Sequence, residues 1–275
     1  MEVQRGNEAM GRNLGKRFGG AALVTGASSG FGEQFALQLA QAGLDVILVA
    51  RRETLLKRLA ETIERNYDVR TLVLCQDLTA NDAPAILEAR IQESGWTVGL
   101  LVNNAGYGFY GEFIEADEAS EAGMVDLNCR ALVTLSRRFA PAMVARGKGG
   151  IIMVASMASY QPVPYLATYG ATKAFALSFG EALWAELKPH GVDVLALCPG
   201  YVDTGFQAVA NSGSMPKMGN IMTPEEVVAS ALDAIGKKPS VVPGMRNKFL
   251  TLSPRLLSRR LSVQATAGLF KPKGR

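Results

Sequence analysis

Residues 21–32 read Ala21-Ala22-Leu23-Val24-Thr25-Gly26-Ala27-Ser28-Ser29-Gly30-Phe31-Gly32. A short apolar run, the length of a buried strand, passes directly into a glycine-rich turn, and a helical pattern follows over 32–42. The glycines permit a tight turn and let the backbone approach a pyrophosphate closely. The first N–H groups of the helix then face the negative charge. The spacing is G-x3-G-x-G rather than G-x-G-x-x-G. By itself such a turn could be a flexible strand-to-helix loop. The strand before it and the helix after it supply the context that a phosphate-binding reading requires.

The same alternation continues outward from this stretch. Apolar runs at 46–50, 71–74, 100–103, 151–155, 192–197 and 240–242 read as further strands. Helical patterns lie between them, for example over 55–67 and 83–94. Alternating strands and helices predict an α/β fold with a parallel sheet covered on both faces. Thr223-Pro224-Glu225-Glu226 reads as a helix start, with Thr as N-cap, Pro at N1 and Glu at N3. The longest irregular segment, 201–222, carries Gly205, Gly213, Pro216 and Gly219, and a loop of that length is often a lid over a site.

Composition agrees. The chain has 275 residues, 48% of them hydrophobic, which is enough for a substantial core. We expect the domain to span 21–244, after a loosely ordered leader over 1–20 and before a basic extension over 245–275. The leader holds Arg5, Arg12, Lys16 and Arg17 without an apolar block, so it does not read as a secretory signal. No stretch has the roughly 18 apolar residues of a membrane span. Cys75, Cys129 and Cys198 lie far apart with no CxxC pair, and Cys75 and Cys198 end apolar runs, so buried free thiols in a reducing compartment are expected. His190 is the only histidine and sits beside Pro189 and Gly191 at an apparent helix end. That context speaks against a Ser-His-Asp triad or a histidine metal site, and no metal is expected.

Tyr169 and Lys173 stand four residues apart in Tyr169-Gly170-Ala171-Thr172-Lys173. On a helix they share one face, and a cation beside a phenol lowers its pKa. A tyrosine so placed is a usable proton donor or acceptor. Together, Thr25-Gly26-x3-Gly30-x-Gly32, Asn103-Asn104-Ala105-Gly106, Ser156 and Tyr169-x3-Lys173 resemble the short-chain dehydrogenase/reductase family, in the branch called classical. The resemblance extends over about residues 20–243. It implies a single Rossmann-like, doubly wound domain with a seven-stranded parallel sheet, an NAD(P)(H) cofactor and carbonyl–alcohol interconversion. Residue by residue, it implies that Tyr169 is the acid/base that protonates the carbonyl oxygen. Lys173 would hold the nicotinamide ribose and lower the tyrosine pKa, Ser156 would hydrogen-bond the carbonyl, and Asn128 would support a water-mediated proton relay to the lysine. These roles fit the chemistry, because hydride delivery builds negative charge on the carbonyl oxygen and donors aimed at it stabilise the transition state.

The resemblance also implies cofactor contacts. Gly26, Ser28, Ser29, Gly30, Phe31 and Gly32 form the glycine-rich turn. Asp77 contacts the adenine, with Leu78 beside it, and Asn104 and Gly106 lie near the adenosine ribose, whereas Asn103 is expected to stabilise the sheet. Pro199, Gly200, Val202 and Thr204 hold the nicotinamide carboxamide. The second strand ends Val49-Ala50-Arg51-Arg52, with Ala50 where NAD-dependent members carry an acid. Arg51, with Arg52 next to it, suits a 2′-phosphate, so NADP(H) is the expected cofactor. The plainer alternative is that both arginines are solvated charges at a helix start.

Tyr107, Phe109, Tyr110, Phe113, Tyr160, Tyr165 and the 201–222 segment, with Met215, Met218 and Met222, could line an apolar pocket. The substrate would then be a bulky, apolar carbonyl such as a ketoacyl chain or a steroid-like ketone; these residues could equally serve only to pack the scaffold. Residues 234–275 contain ten Lys or Arg and no acid, so the first 233 residues carry 19 basic against 25 acidic ones, a net of −6. No stacking aromatics accompany this basic tail, so nucleic acid is not an expected partner. Ser253-Pro254 reads as the start of a helix running to Ala267, with Gly268 beyond it. Its basic, amphipathic character allows packing on its own domain, on a partner subunit or on an anionic membrane, with the first two favoured. The family resemblance implies a homo-oligomer, a dimer or tetramer; the cysteine usage points to a cytoplasmic location, and the basic C-terminal segment allows membrane association. A cofactor-sensing or scaffolding homologue with little catalysis is the competing functional reading. The intact Ser156–Tyr169–Lys173 set argues against it.

Overall fold

The computed structural model describes residues 14–202 and 222–272. Seven strands form one all-parallel sheet: β1 (Ala21–Thr25), β2 (Val46–Ala50), β3 (Thr71–Cys75), β4 (Val98–Asn103), β5 (Gly149–Val154), β6 (Val192–Leu197) and β7 (Ser240–Val241). Their order is β3-β2-β1-β4-β5-β6-β7. The order reverses between β1 and β4, which pair in parallel. That reversal opens a crevice at the carboxyl ends of these two strands, where ligands bind in open α/β sheets. The central strands are apolar on both faces, with β1 and β4 buried along their whole length, as a sheet covered on both sides demands.

On one face lie α1 (Gly30–Gln41), α2 (Glu53–Asn66) and α7 (Pro224–Ala234), and their core includes Phe35, Leu56 and Val228. On the other lie α3 (Ala83–Glu93), α5 (Leu132–Ala145) and α6 (Ala167–Leu187), with a core that includes Leu87, Leu135 and Leu177. A shorter helix, α4 (Glu118–Val125), precedes a π-helical turn, Asp126–Ala131, that leads into α5. The helix start at Thr223 is a full capping box: Thr223 accepts from the Glu226 N–H, and Glu226 accepts from the Thr223 N–H at 3.0 Å.

Three regions depart from the sequence reading. Residues 14–18, assigned to the loosely ordered leader, are helical, and Leu14 and Phe18 enter the core. Arg17 anchors them by an ion pair to Asp193 at 2.6 Å and a bond to the Ile235 carbonyl at 2.9 Å. Two apolar side chains one turn apart suffice to dock a helix end and are too few to show as an apolar block. The C-terminal extension is not one helix from Ser253. It is α8 (Met245–Leu252), a 3₁₀ turn over Ser253–Leu256 and α9 (Arg259–Phe270). Pro254 follows α8 directly and tightens its end, and Ser258 caps α9 by accepting from the Leu261 N–H. Gly268 falls inside α9. Cys75 is exposed, because β3 is an edge strand, while Cys198 is buried as expected. The candidate lid falls almost wholly on residues 203–221, outside the described residues.

Candidate active site

The glycine-rich turn is held by its neighbour across the crevice. The Thr25 hydroxyl donates to the Val102 carbonyl and accepts from the N–H groups of Asn104 and Ala105, both at 3.0 Å. The Asn104 amide donates to the Thr25 and Gly26 carbonyls. Gly26 and Gly30 adopt φ of +67° and +59°, which favour glycine. A side chain on Gly32 would collide with the Gly26 carbonyl. The N-cap residue of α1, Ser29, makes no side-chain cap, so the first N–H groups of α1 are left for an anion. Asn104 is thus a fastener of the turn as well as a wall of the crevice. Asn103, as expected, serves the scaffold, donating to Ser136 at 3.0 Å.

The two arginines at the end of β2 differ. Arg52 donates to the hydroxyls of Ser28 at 2.8 Å and Ser29 at 2.7 Å, which places its guanidinium over the turn. Arg51 lies 3.7 Å from the Asp77 carboxylate. Asp77 also accepts from the Thr79 N–H and hydroxyl, and it is held below the usual carboxylate range by these bonds and the Arg51 charge against an opposing burial effect. Leu78 is buried beside it.

At the other end of the crevice, Ser156 caps a 3₁₀ turn, Met157–Tyr160, accepting from the Ala158 N–H at 3.1 Å. Its hydroxyl hydrogen-bonds the Tyr169 hydroxyl. Lys173, one turn along α6, is buried and donates to the Val154 carbonyl at 2.7 Å, with Nζ 5.8 Å from the Tyr169 ring centre. Asn128 sits in the π-helical turn, a distortion frequent at functional sites. Its amide donates to the Tyr107 carbonyl and the Thr172 hydroxyl and accepts from the Tyr107 N–H. A Cβ on Gly106 would lie 2.8 Å from Asn128 Oδ1 and 3.3 Å from Lys173 Nζ, so both groups converge on that glycine. Thr25, part of the motif but given no role by the sequence, pins the turn. Two positioning residues had no sequence signal of their own: Ser159 donates to the Lys173 carbonyl at 2.7 Å, and Thr172 donates to the Tyr169 carbonyl at 2.8 Å.

Burial acts on both members of the Tyr169–Lys173 pair. Burial pushes the Tyr169 phenol up to about 12, with the Ser156 bond opposing it. The same burial pushes Lys173 down to about 8. In both groups burial works against the charged form.

Most of these parts face one cavity of about 590 Å³. Gly26, Ser28, Ser29, Gly30, Phe31, Arg51, Arg52, Asp77, Leu78, Asn104 and Gly106 line its nucleotide end, and Ser156, Tyr169, Lys173, Pro199, Gly200 and Val202 its centre. Gly32 and Asn128 lie just behind its wall, and Thr204 is outside the described residues. The apolar end differs from expectation. Tyr107 lines it, but Phe109, Phe113 and Tyr165 border a separate small hollow. Tyr110 and Tyr160 are turned to other partners, the Phe270 carbonyl and Cys198 Sγ. In their place stand Val163 and Leu166 together with Leu250, Leu257, Leu269 and Phe270 from the C-terminal extension. That segment therefore packs on its own domain, with Thr266 donating to the Pro162 carbonyl at 3.1 Å.

Residues 20–214 match the family model for short chain dehydrogenase. The chain belongs to the short-chain dehydrogenase family. Within it, the chain is 32% identical over 267 residues to a very-long-chain 3-oxoacyl-CoA reductase of Lodderomyces elongisporus, covering 93% of this chain and 74% of that one. Its fold is similar to that of a 7β-hydroxysteroid dehydrogenase, with a TM-score of 0.83, 28% identity and coverage of 92% and 99%. A short-chain dehydrogenase from Sphingobium yanoikuyae, solved in complex with NADPH, superposes with a TM-score of 0.77 at 29% identity, covering 93% and 98%. Members of this family are oxidoreductases that interconvert carbonyl and alcohol groups. No helix among the described residues is long and apolar enough to cross a membrane.

Proposed function

We propose that this short-chain dehydrogenase is an NADP(H)-dependent reductase of a bulky, apolar carbonyl compound, a 3-oxoacyl chain or a steroid-like ketone. One observation carries the reading: the phosphate-type turn, the Ser156–Tyr169–Lys173 cluster and an apolar wall border a single cavity. The residues present fit a dinucleotide. The uncapped start of α1 and the crowding at Gly32 leave space for a pyrophosphate against bare backbone. Arg52, held by Ser28 and Ser29, and Arg51 beside it supply fixed positive charge for a 2′-phosphate. The cofactor, when bound, supplies the hydride.

The chain's own residues orient and protonate. The Ser156 hydroxyl accepts from Ala158, and its hydrogen is available to the carbonyl oxygen. Tyr169, held protonated, gives its hydroxyl proton to that oxygen as negative charge develops there. The donors that Lys173 does not spend on Val154 would hold the cofactor's ribose hydroxyls when it is bound, and they face the tyrosinate that remains after proton transfer. Asn128 fixes the wall behind Lys173 through Tyr107 and Thr172. The relatives support the substrate class, since the reductase acts on very-long-chain 3-oxoacyl-CoA and the dehydrogenase on a hydroxysteroid. The free thiols Cys75, Cys129 and Cys198 fit a reducing, cytoplasm-facing compartment.

The test is NADPH oxidation with 3-oxoacyl thioesters and ketones of increasing chain length. Turnover should rise with apolar bulk and be weaker with NADH. Absence of turnover with every carbonyl, while NADPH binds, would overturn the proposal.

A further inference from the structure

Surface helices normally turn their apolar side inward and their polar side to water. The two C-terminal helices do the reverse. In α8 the buried residues are Asn247 and Thr251, and in α9 they are Ser262 and Thr266. Met245, Phe249 and Leu252, at i, i+4 and i+7 of α8, form one stripe and are 79%, 73% and 54% exposed. Leu261, Val263 and Leu269 of α9 and Leu257 between the helices are exposed as well. Seven of the twelve exposed large hydrophobic residues among those described fall in this short segment, which marks it as a contact surface rather than scattered surface apolarity.

The charge around this surface is of one sign. Arg246 and Lys248 flank the α8 stripe, Arg259, Arg260 and Lys271 are exposed on and beside α9, and no acid occurs after Asp233. The mouth of the cavity lies in the same place. Leu257 and Leu269 are exposed and also line the cavity, so one side chain borders both the site and the outer face.

We propose that the outer face of α8 and α9 docks on an anionic lipid surface, with the cavity mouth opening against it. The apolar stripe enters the headgroup boundary and the flanking cations meet lipid phosphates, the arrangement of a helix lying in the plane of a membrane interface. The charge selects this occupant. A second copy meeting this face with its own would oppose cation to cation, while an anionic bilayer satisfies both the apolar and the basic residues. The docking stands independently of the reaction. The purpose of the mouth, admitting an apolar substrate that partitions into lipid, rests on the function proposed above.

The test is co-sedimentation of the full chain with phosphatidylcholine/phosphatidylglycerol vesicles, compared with phosphatidylcholine alone, at low and high salt. Binding to the anionic vesicles should be at least tenfold tighter and should weaken with salt as the screening length shrinks from about 10 Å at 0.1 M to about 3 Å at 1 M. Met245→Glu/Phe249→Glu, and separately Arg246→Glu/Lys248→Glu, should each lose at least tenfold in binding while keeping the melting temperature and the turnover of a small soluble ketone. If one pair fails to fold, the other decides. Lack of vesicle binding by the wild type, or equal binding by a folded variant, would overturn the proposal. So would a wild-type dimer in sedimentation velocity that either variant converts to monomer without any vesicle binding, since the face would then be an interface between copies. A chain that reduces no ketone but binds vesicles as described refutes the proposed function and leaves the docking standing.

Discussion

The two ends of the cavity are built in opposite ways. At the nucleotide end, the turn after β1 and the turn after β4 are tied by short bonds among Thr25, Asn104 and backbone carbonyls, all within two adjacent strands. At the substrate end, the wall is a pair of helices far along the chain, joined to the domain by contacts such as Thr266 to the Pro162 carbonyl and Tyr110 to the Phe270 carbonyl. The first is fixed by backbone geometry that few sequences can supply. The second depends on individual side chains and can change without disturbing the sheet. On the proposed function, the chemistry is written into the scaffold and the choice of substrate into an appendage. Tyr165, the only described non-glycine residue with positive φ (66°), packs against the cluster of Tyr110, Val163 and Leu166.

The largest effect should come from the chemical centre. Tyr169→Phe removes the proton donor and should lower kcat by about 10²–10⁴-fold, the usual weight of general acid–base catalysis, with NADPH affinity nearly unchanged. Titration of NADPH fluorescence alongside steady-state rates separates the two. Turnover within tenfold of wild type would remove Tyr169 from its role. Next, Arg52→Ala should weaken NADPH binding at least tenfold and leave NADH binding unchanged, since a bond to a charged group is worth roughly 1.5–3 kcal/mol. Equal losses for both cofactors would mean that Arg52 only braces Ser28 and Ser29.

Protonation of Lys173 gives a pH test. Its ammonium is pushed down to about 8 by burial from the ordinary lysine value of 10.5. In the window between these values the unfolded chain binds the proton and the folded chain does not, so this group makes stability rise with pH there. The cost of burying the charge is present below pH 8. Over the same window Lys173 loses its charge in the folded protein, so the NADPH dissociation constant should increase as pH passes about 8. Lys173→Met should abolish that dependence, and a pH-independent dissociation constant in the wild type would contradict the assignment. The smallest effect belongs to the appendage: Thr266→Val should cost about 0.5–1.5 kcal/mol of stability by thermal unfolding and alter KM more than kcat. A kcat loss comparable to that of Tyr169→Phe would erase the distinction between the two ends.

The same contrast governs what could be read in the sequence. The parallel strands were legible because strands buried on both faces are continuous apolar runs, and the order of helices followed from their periodicity. Tyr169 and Lys173 were legible because their relation is local, one turn of one helix. Features made by distant parts of the chain were not. Phe18 gains its core position from a sheet formed later in the chain, and Cys75 is exposed because β3 is at an edge. The raised Tyr169 pKa comes from burial that no spacing reveals. The apolar wall was sought among nearby aromatics such as Phe109 and Tyr160, and it came from Leu250, Leu257 and Leu269 instead. Leu250 and Leu269 lie on helices whose fully buried residues are polar, and Leu257 lies between them, so their pattern gave no inward face to recognise.

The most direct test of the central claim follows the hydrogen itself. The wild-type enzyme should be given NADPH carrying deuterium at nicotinamide C4, in each of its two stereochemical forms, with a long-chain 3-oxoacyl thioester, and the product analysed by mass spectrometry. The account predicts an alcohol with one deuterium on the carbinol carbon from one of the two forms, and almost no product from the folded Tyr169→Phe variant. Alcohol without deuterium from either form, or an equal yield from the variant, would contradict hydride transfer to a carbonyl protonated by Tyr169.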